Sequence, residues 1–149
     1  MAYFEWGDDM IIDNGPIDQD HRKLVDLVNE LHTATSAGLG RTVVDRIMSE
    51  LIFYTRDHLT REEHQMALVD FPDLETHKLS HARFMASMEA LLQKQASGSL
   101  TVASQLSSLL RDWLSIHIRR SDNALRVHMK NKSRSKKGAH PASLLPKIL

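Results

Sequence analysis

Residues 58–66 read HLTREEHQM and residues 71–81 read FPDLETHKLSH, and the spacing inside these two stretches decides the fold. His58 and Glu62 stand four apart, as do His77 and His81. On a helix, that spacing puts both members of a pair on one face, a turn apart. Two further segments extend the pattern. His21 closes IDQDH at residues 17–21, and His117 and Asp122 lie within WLSIHIRRSD at residues 113–122. Five histidines and two carboxylates therefore fall in four segments that each read as a helix. Four helices presenting imidazole and carboxylate toward one axis make a polynuclear metal site inside a bundle.

The surrounding sequence supports long helices. The prolines are Pro16, Pro72, Pro141 and Pro146, and none interrupts a periodic apolar stretch. Residues 1–17 read as an irregular N-terminal arm carrying Trp6. The first helix is expected from about Asp18 to Ala37, ahead of Gly38 and Gly40, with His21, Leu24, Val25, Val28, Leu31 and His32 inward. The second opens at a weak capping box, Thr42 with Asp45, and runs to about Val69 with Ile47, Leu51, Tyr54, His58, Glu62 and Met66 inward. Pro72-Asp73 supplies a stop and an N-cap. The third helix then runs to about Gln95 on a stripe of His77, His81, Phe84, Met85, Met88 and Leu92. Ser97-Gly98-Ser99 breaks the chain. The fourth helix covers about Thr101 to His128, with Leu106, Leu109, Leu110, Trp113, His117 and Ala124 inward.

Short connections force antiparallel neighbours. The expected fold is all-α, an up-down-up-down antiparallel four-helix bundle with an N-terminal arm and a basic C-terminal tail. Residues 1–128 make the bundle and its arm, and residues 129–149 a basic, flexible tail. A net charge of zero hides this division: all 19 acidic residues lie at or before Asp122. Beyond it come Arg126, Lys130, Lys132, Arg134, Lys136, Lys137 and Lys147. Such a run suits an anionic partner, but it is too short and too poor in aromatics for nucleic-acid readout.

A chain of 149 residues is one domain's worth of sequence and can bury a core. It has no cysteine, which excludes disulfides, thiolate metal sites and a nucleophilic thiol. Any metal must be held by nitrogen and oxygen, as iron, zinc, manganese or copper can be. The acidic N-terminus shows no secretory signal, and no apolar run is long enough to span a membrane, so a cytoplasmic location is the expectation.

Each histidine has a bland alternative as a satisfied core or boundary residue. His32 fits it, His64 lies off the His58 face, and His128 and His140 belong to the tail. The i,i+4 pairs do not fit it. A buried Glu62 without compensation costs several kcal/mol, and the inward stripes offer no Lys or Arg beside it. Metal cations would satisfy Glu62, Asp122 and the imidazoles together. The spacing of His117 and Asp122 is awkward, because five residues set them about 140° apart on a regular helix. They could flank one inward face, or a π-type bulge could bring them together. Seven ligands exceed one tetrahedral zinc and suit two octahedral metals with bridging carboxylates. The Glu-x-x-His elements of ferritin-like di-iron oxygenases are absent. A histidine-rich site favours reversible chemistry over substrate oxidation.

These segments resemble hemerythrins, most closely single-domain bacteriohemerythrins, over residues 3–128. The resemblance implies that His77, His81 and His117 bind one iron and His21 and His58 the other. Glu62 and Asp122 would bridge the two iron ions (Fe2+/Fe3+) beside an oxo or hydroxo group. It implies reversible binding of molecular oxygen for storage, delivery or sensing, with O2 held as hydroperoxide on the two-histidine iron, and no catalytic residues. It places Leu24, Leu59, Trp113, Leu114 and Ile118 around the oxygen pocket. Leu59 departs from the Phe usual in the family after the histidine. The alternative is a di-iron enzyme or redox sensor, reducing peroxide or nitric oxide or autoxidising rapidly.

Overall fold

A computed structural model describes residues 2–96 and 101–138. The elements are a short 3-10 turn at Asp8–Met10 and five helical rods: α1 (Pro16–Ser36), α2 (Arg41–Leu68), α3 (Leu74–Ala96), α4 (Val102–Ile116) and α5 (Asn123–Gly138). A π-turn, His117–Asp122, joins α4 to α5 without a break, so the two form the fourth helix of a bundle. No strand occurs among the described residues. The Ser97-Gly98-Ser99 break and residues 139–149 lie outside them.

Local chemistry sets the helix ends. Asp13 caps α1, accepting the backbone N–H groups of Gly15 (2.9 Å), Ile17 (3.0 Å) and Asp18 (3.1 Å). Asp18 in turn accepts from Ile12 and Asn14, each at 2.8 Å, which ties the arm to the helix that begins at Pro16. At its other end α1 closes through Gly38 at φ 68°, where an L side chain would be strained. The α2 terminus repeats this closure with Asp70 at φ 53°. Asp70 N–H reaches Ala67 O (3.2 Å) and Phe71 N–H reaches Met66 O (2.9 Å). The expected capping box at α2 does not form. Gly40 is the N-cap, and Asp45 instead accepts from Gln95 Nε2 of α3 at 2.6 Å.

α1 packs on α2 and α4, and α3 packs on the same two helices. The core between them holds Leu24, Val28, Leu31, Ile47, Met48, Leu51, Met66, Met88, Leu106, Leu110 and Leu114, all buried. Burial of such side chains drives the assembly at about 25 cal/mol per Å² of apolar surface. The inward stripes fall as expected on α1 and α2, except that His32 and Tyr54 are only half-buried. On α3, Leu92 is 37% exposed rather than inward, while Gln95, one turn on, is the buried residue and bonds to Asp45 of α2.

The fourth helix departs furthest from expectation. The π-turn carries one residue more than an α-turn, which rotates everything after it by about 100°. Leu125 is therefore the buried residue, and Ala124, expected inward, is exposed. The rod also continues past His128 to Gly138. His128 and Lys132, both expected in a solvated tail, fold back on the α2 terminus. His128 Nε2 lies 2.7 Å from Val69 O, while Lys132 donates to Val69 O (3.0 Å) and Asp70 (2.8 Å). A cationic lysine there also complements the negative end of the α2 dipole.

Candidate metal centre

All seven sequence-predicted groups converge in the interior. His21 comes from α1, His58 and Glu62 from α2, His77 and His81 from α3, and His117 and Asp122 from the π-turn. Each is at most 5% exposed. They form two overlapping clusters, each with its ligand atoms within 4.8 Å of one another: Glu62, His77, His81 and His117, and His21, His58, Glu62 and Asp122.

The π-turn resolves the awkward spacing of His117 and Asp122. With about 4.4 residues per turn, five positions bring a side chain back close to where four bring it on an α-helix. His117 Nε2 and Asp122 Oδ1 lie 3.1 Å apart.

The two carboxylates stand between the histidine groups. Glu62 Oε1 faces His81 (3.3 Å) and His117 (3.6 Å), while Oε2 faces His58 (3.2 Å) and His21 (3.4 Å). Asp122 Oδ1 faces His77 (3.2 Å) and His117, while Oδ2 faces His21 (3.2 Å). These approaches are close, yet several do not satisfy hydrogen bonding. Both Glu62 oxygens, Asp122 Oδ2, both nitrogens of His21 and His58 Nε2 are buried with no hydrogen-bond partner. Leaving so many polar atoms unpaired costs about 1–3 kcal/mol each, so the set calls for a further partner. Oxygen and imidazole nitrogen converging on two points is the donor set of a pair of borderline or hard cations. The residues fit two metal ions that share the carboxylates.

Electrostatics agree. Burial works against charge on His21 and His117, but the adjoining Asp122 and Glu62 dominate and raise both imidazoles to about 9. Burial likewise opposes charge on His58, and hydrogen bonding to Asp20 and Glu62 raises it. Burial pushes Glu62 and Asp122 upward, yet the imidazoles around them hold both below the usual carboxylate range. The metal-free centre thus carries protons on groups that a metal would displace.

The outer contacts were not anticipated from sequence. His58 Nδ1 meets Asp20 Oδ2 at 3.0 Å, and His81 Nδ1 meets Glu63 Oε2 at 2.7 Å. Asp20 immediately precedes His21 and Glu63 immediately follows Glu62, so adjacency to a ligand was the one available signal. Phe71 lies edge-on to both His77 and His128.

Of the expected pocket walls, Leu24, Leu59, Leu114 and Ile118 are buried. Trp113 is half-buried, and its ring contacts lie on the three-histidine side. It stacks on His117 at 4.1 Å and on Phe84 at 3.9 Å. It separates His117 from an open groove of ≈ 380 Å³ between α3 and α4, lined by Leu79, Arg83 and Leu109 among others. His32 lies away from the centre, stacked on Tyr3 at 3.8 Å, and His64 is exposed.

Residues 15–126 match the family model of the hemerythrin HHE cation binding domain. The chain is 34% identical over 125 residues to a bacteriohemerythrin of Stenotrophomonas maltophilia, covering 83% of this chain and 80% of that one. It is 30% identical over 122 residues to a bacteriohemerythrin of Pseudomonas aeruginosa, covering 82% and 78%. A crystal structure of a hemerythrin point mutant superposes with a TM-score of 0.77 at 25% identity, over 86% of this chain and 98% of that one.

Proposed function

The chain belongs to the hemerythrin family, and from that premise we propose that it binds molecular oxygen reversibly at a non-haem di-iron centre. The observation that carries the reading is the division of Glu62 and Asp122. Each turns one oxygen toward the three-histidine group and the other toward His21 or the His21–His58 pair. His77, His81 and His117 would hold one iron and His21 and His58 the other, with both carboxylates shared. The iron pair, when bound, supplies the electrons that let oxygen be taken up and released.

The protein's own part is to hold, orient and exclude. Five imidazoles and two carboxylates bring only two formal negative charges to the centre, which suits reversible redox chemistry. Leu24, Leu59, Leu114 and Ile118 are buried apolar side chains, and as walls of the oxygen pocket they would keep out the water and anions that compete for the iron. His21 stands early in α1, His58 late in α2, His77 early in α3 and His117 just past the end of α4, opening the π-turn. Their convergence supports helices that alternate in direction, up-down-up-down.

Metal analysis should give two irons per chain. The visible spectrum of the reduced protein, recorded before and after air, separates the functional alternatives. A band that appears with oxygen and disappears on its removal supports the carrier or sensor. Immediate conversion to a fully oxidised spectrum overturns reversible binding and favours a di-iron enzyme or redox sensor.

A further inference from the structure

Two carboxylates outside the seven-residue centre each hold one of its imidazoles from behind, and each reaches across from a neighbouring helix. Asp20 on α1 meets His58 Nδ1 on α2 at 3.0 Å. Glu63 on α2 meets His81 Nδ1 on α3 at 2.7 Å. An imidazole that gives its Nδ1 proton to a carboxylate presents the lone pair of Nε2 on its opposite side. In both rings that Nε2 faces the centre, 3.2 Å from Glu62 Oε2 for His58 and 3.3 Å from Glu62 Oε1 for His81. One imidazole of each histidine group is thus fixed in tautomer and rotation by a second carboxylate.

The two holders are not equivalent. Arg61 grips Asp20 with two parallel bonds, Nε to Oδ2 at 3.0 Å and a terminal nitrogen to Oδ1 at 2.8 Å. A bidentate guanidinium fixes the plane of a carboxylate and offsets its charge. Arg61 is itself steadied by Asp57, one turn earlier on α2. Glu63 has no Lys or Arg paired with it among the described residues. The bond to His81 is also the shorter of the two.

We propose that Asp20, locked by Arg61, and Glu63 are positioning residues of the metal centre, Asp20 presetting His58 in one histidine group and Glu63 presetting His81 in the other. The inference rests on the di-iron reading above and adds residues that touch neither metal nor oxygen. The two supports are unequal: Asp20 acts as a rigid, charge-compensated brace, and Glu63 as an anion that strengthens electron donation by His81.

The test uses the full chain loaded with iron and, as a redox-inert probe, with zinc(II). Chelator competition gives affinity, and melting with and without metal gives the rise in Tm on loading. Asp20→Ala and Glu63→Ala should weaken metal affinity by about 10- to 100-fold and shrink that rise. Asp20→Asn and Glu63→Gln keep an acceptor oxygen and should recover most of the affinity. Arg61→Ala leaves Asp20 in place but unbraced, and should fall between Asp20→Ala and the natural chain. Glu63→Gln should further shift the reduction potential of the iron-loaded protein upward, more than Asp20→Asn does. If the alanine variants lower both melting temperatures equally and leave the rise unchanged, the carboxylates merely tie helices together and the proposal is overturned. Affinities unchanged in a natural chain that does take up two metals overturn it as well. Failure of the natural chain to take up two metals would instead overturn the di-iron reading.

Discussion

Glu62 and Asp122 both divide their oxygens across the midline of the centre, and between them they face all five histidines. Among the described residues neither pairs with a lysine or arginine, and both are fully buried. Two buried carboxylates with no permanent counter-charge are stable only while imidazolium or metal lies between them.

Glu62 therefore belongs to both halves of the centre, and its removal should disable both. Glu62→Ala is expected to leave less than one iron per chain by metal analysis. His81→Ala should lose metal from the three-histidine side and lower the melting temperature of the loaded protein. His32→Ala is the control. His32 stacks on Tyr3 outside the centre, so its replacement should leave two irons in place. A full iron complement in Glu62→Ala would reject the assignment of that residue as a shared ligand.

What could be read from sequence follows from periodicity. The α1 and α2 stripes and the pairs His58/Glu62 and His77/His81 depend only on 3.6 residues per turn, which the chain obeys there. The His117/Asp122 pair depends on a local change of period, and residues 117–122 carry no Gly or Pro to announce one. The same change displaced the expected burial from Ala124 to Leu125. Asp20 and Glu63 were missed for another reason. Their partners lie on neighbouring helices, so the contacts exist only once the helices are in register. His128 and Lys132 read as tail residues in the sequence because their acceptors, Val69 O and Asp70, are created by the chain reversal that ends α2.

The π-turn gives a prediction of its own. If its extra residue serves only to seat Asp122 beside His117, a regular helix with a four-residue spacing should do as well, as His58 and Glu62 demonstrate. Deleting the exposed Arg120 should let the turn relax to α-geometry while the carboxylate and all of α5 keep their facing. Two irons per chain and an unchanged helical signal are expected. Loss of iron from the deletion variant would mean that the turn itself shapes the centre.

Leu59 follows His58 and is buried at 3% exposure. Leu59→Ala should cost about 2–5 kcal/mol of stability, as large-to-small core changes do. A wall residue binds no metal, so iron content should stay at two. If Leu59 lines the oxygen pocket, the oxygen-dependent visible band should fade faster in Leu59→Ala and more slowly in Leu59→Phe, where water is better excluded. Equal decay in all three proteins would place Leu59 in the core alone.

The last prediction concerns pH and separates metal-free from loaded protein. In the metal-free chain His21 and His117 are raised from 6.5 to about 9. A group whose folded value is raised stabilises the fold fully below its free value and loses that contribution as pH climbs through the folded one. Glu62 and Asp122 run the other way. Their folded values are depressed below 4.5 and 3.8, so their contribution is present above those values and lost as pH falls. The metal-free protein should therefore melt highest between about pH 5 and 6.5, and its Tm should drop toward pH 9. Metal reverses the trend on the alkaline side. Ligands must be deprotonated to bind, so uptake at pH 7 releases protons, and affinity grows as His21 and His117 lose theirs. The rise in Tm on loading should widen steadily from about pH 6.5 to 9. Paired melts with zinc(II) and without metal measure that rise, and a weakly buffered titration measures the protons released. A metal-free Tm that holds level from neutral to alkaline pH, with no proton release on loading, would mean that the two carboxylates do not hold His21 and His117 in their charged form.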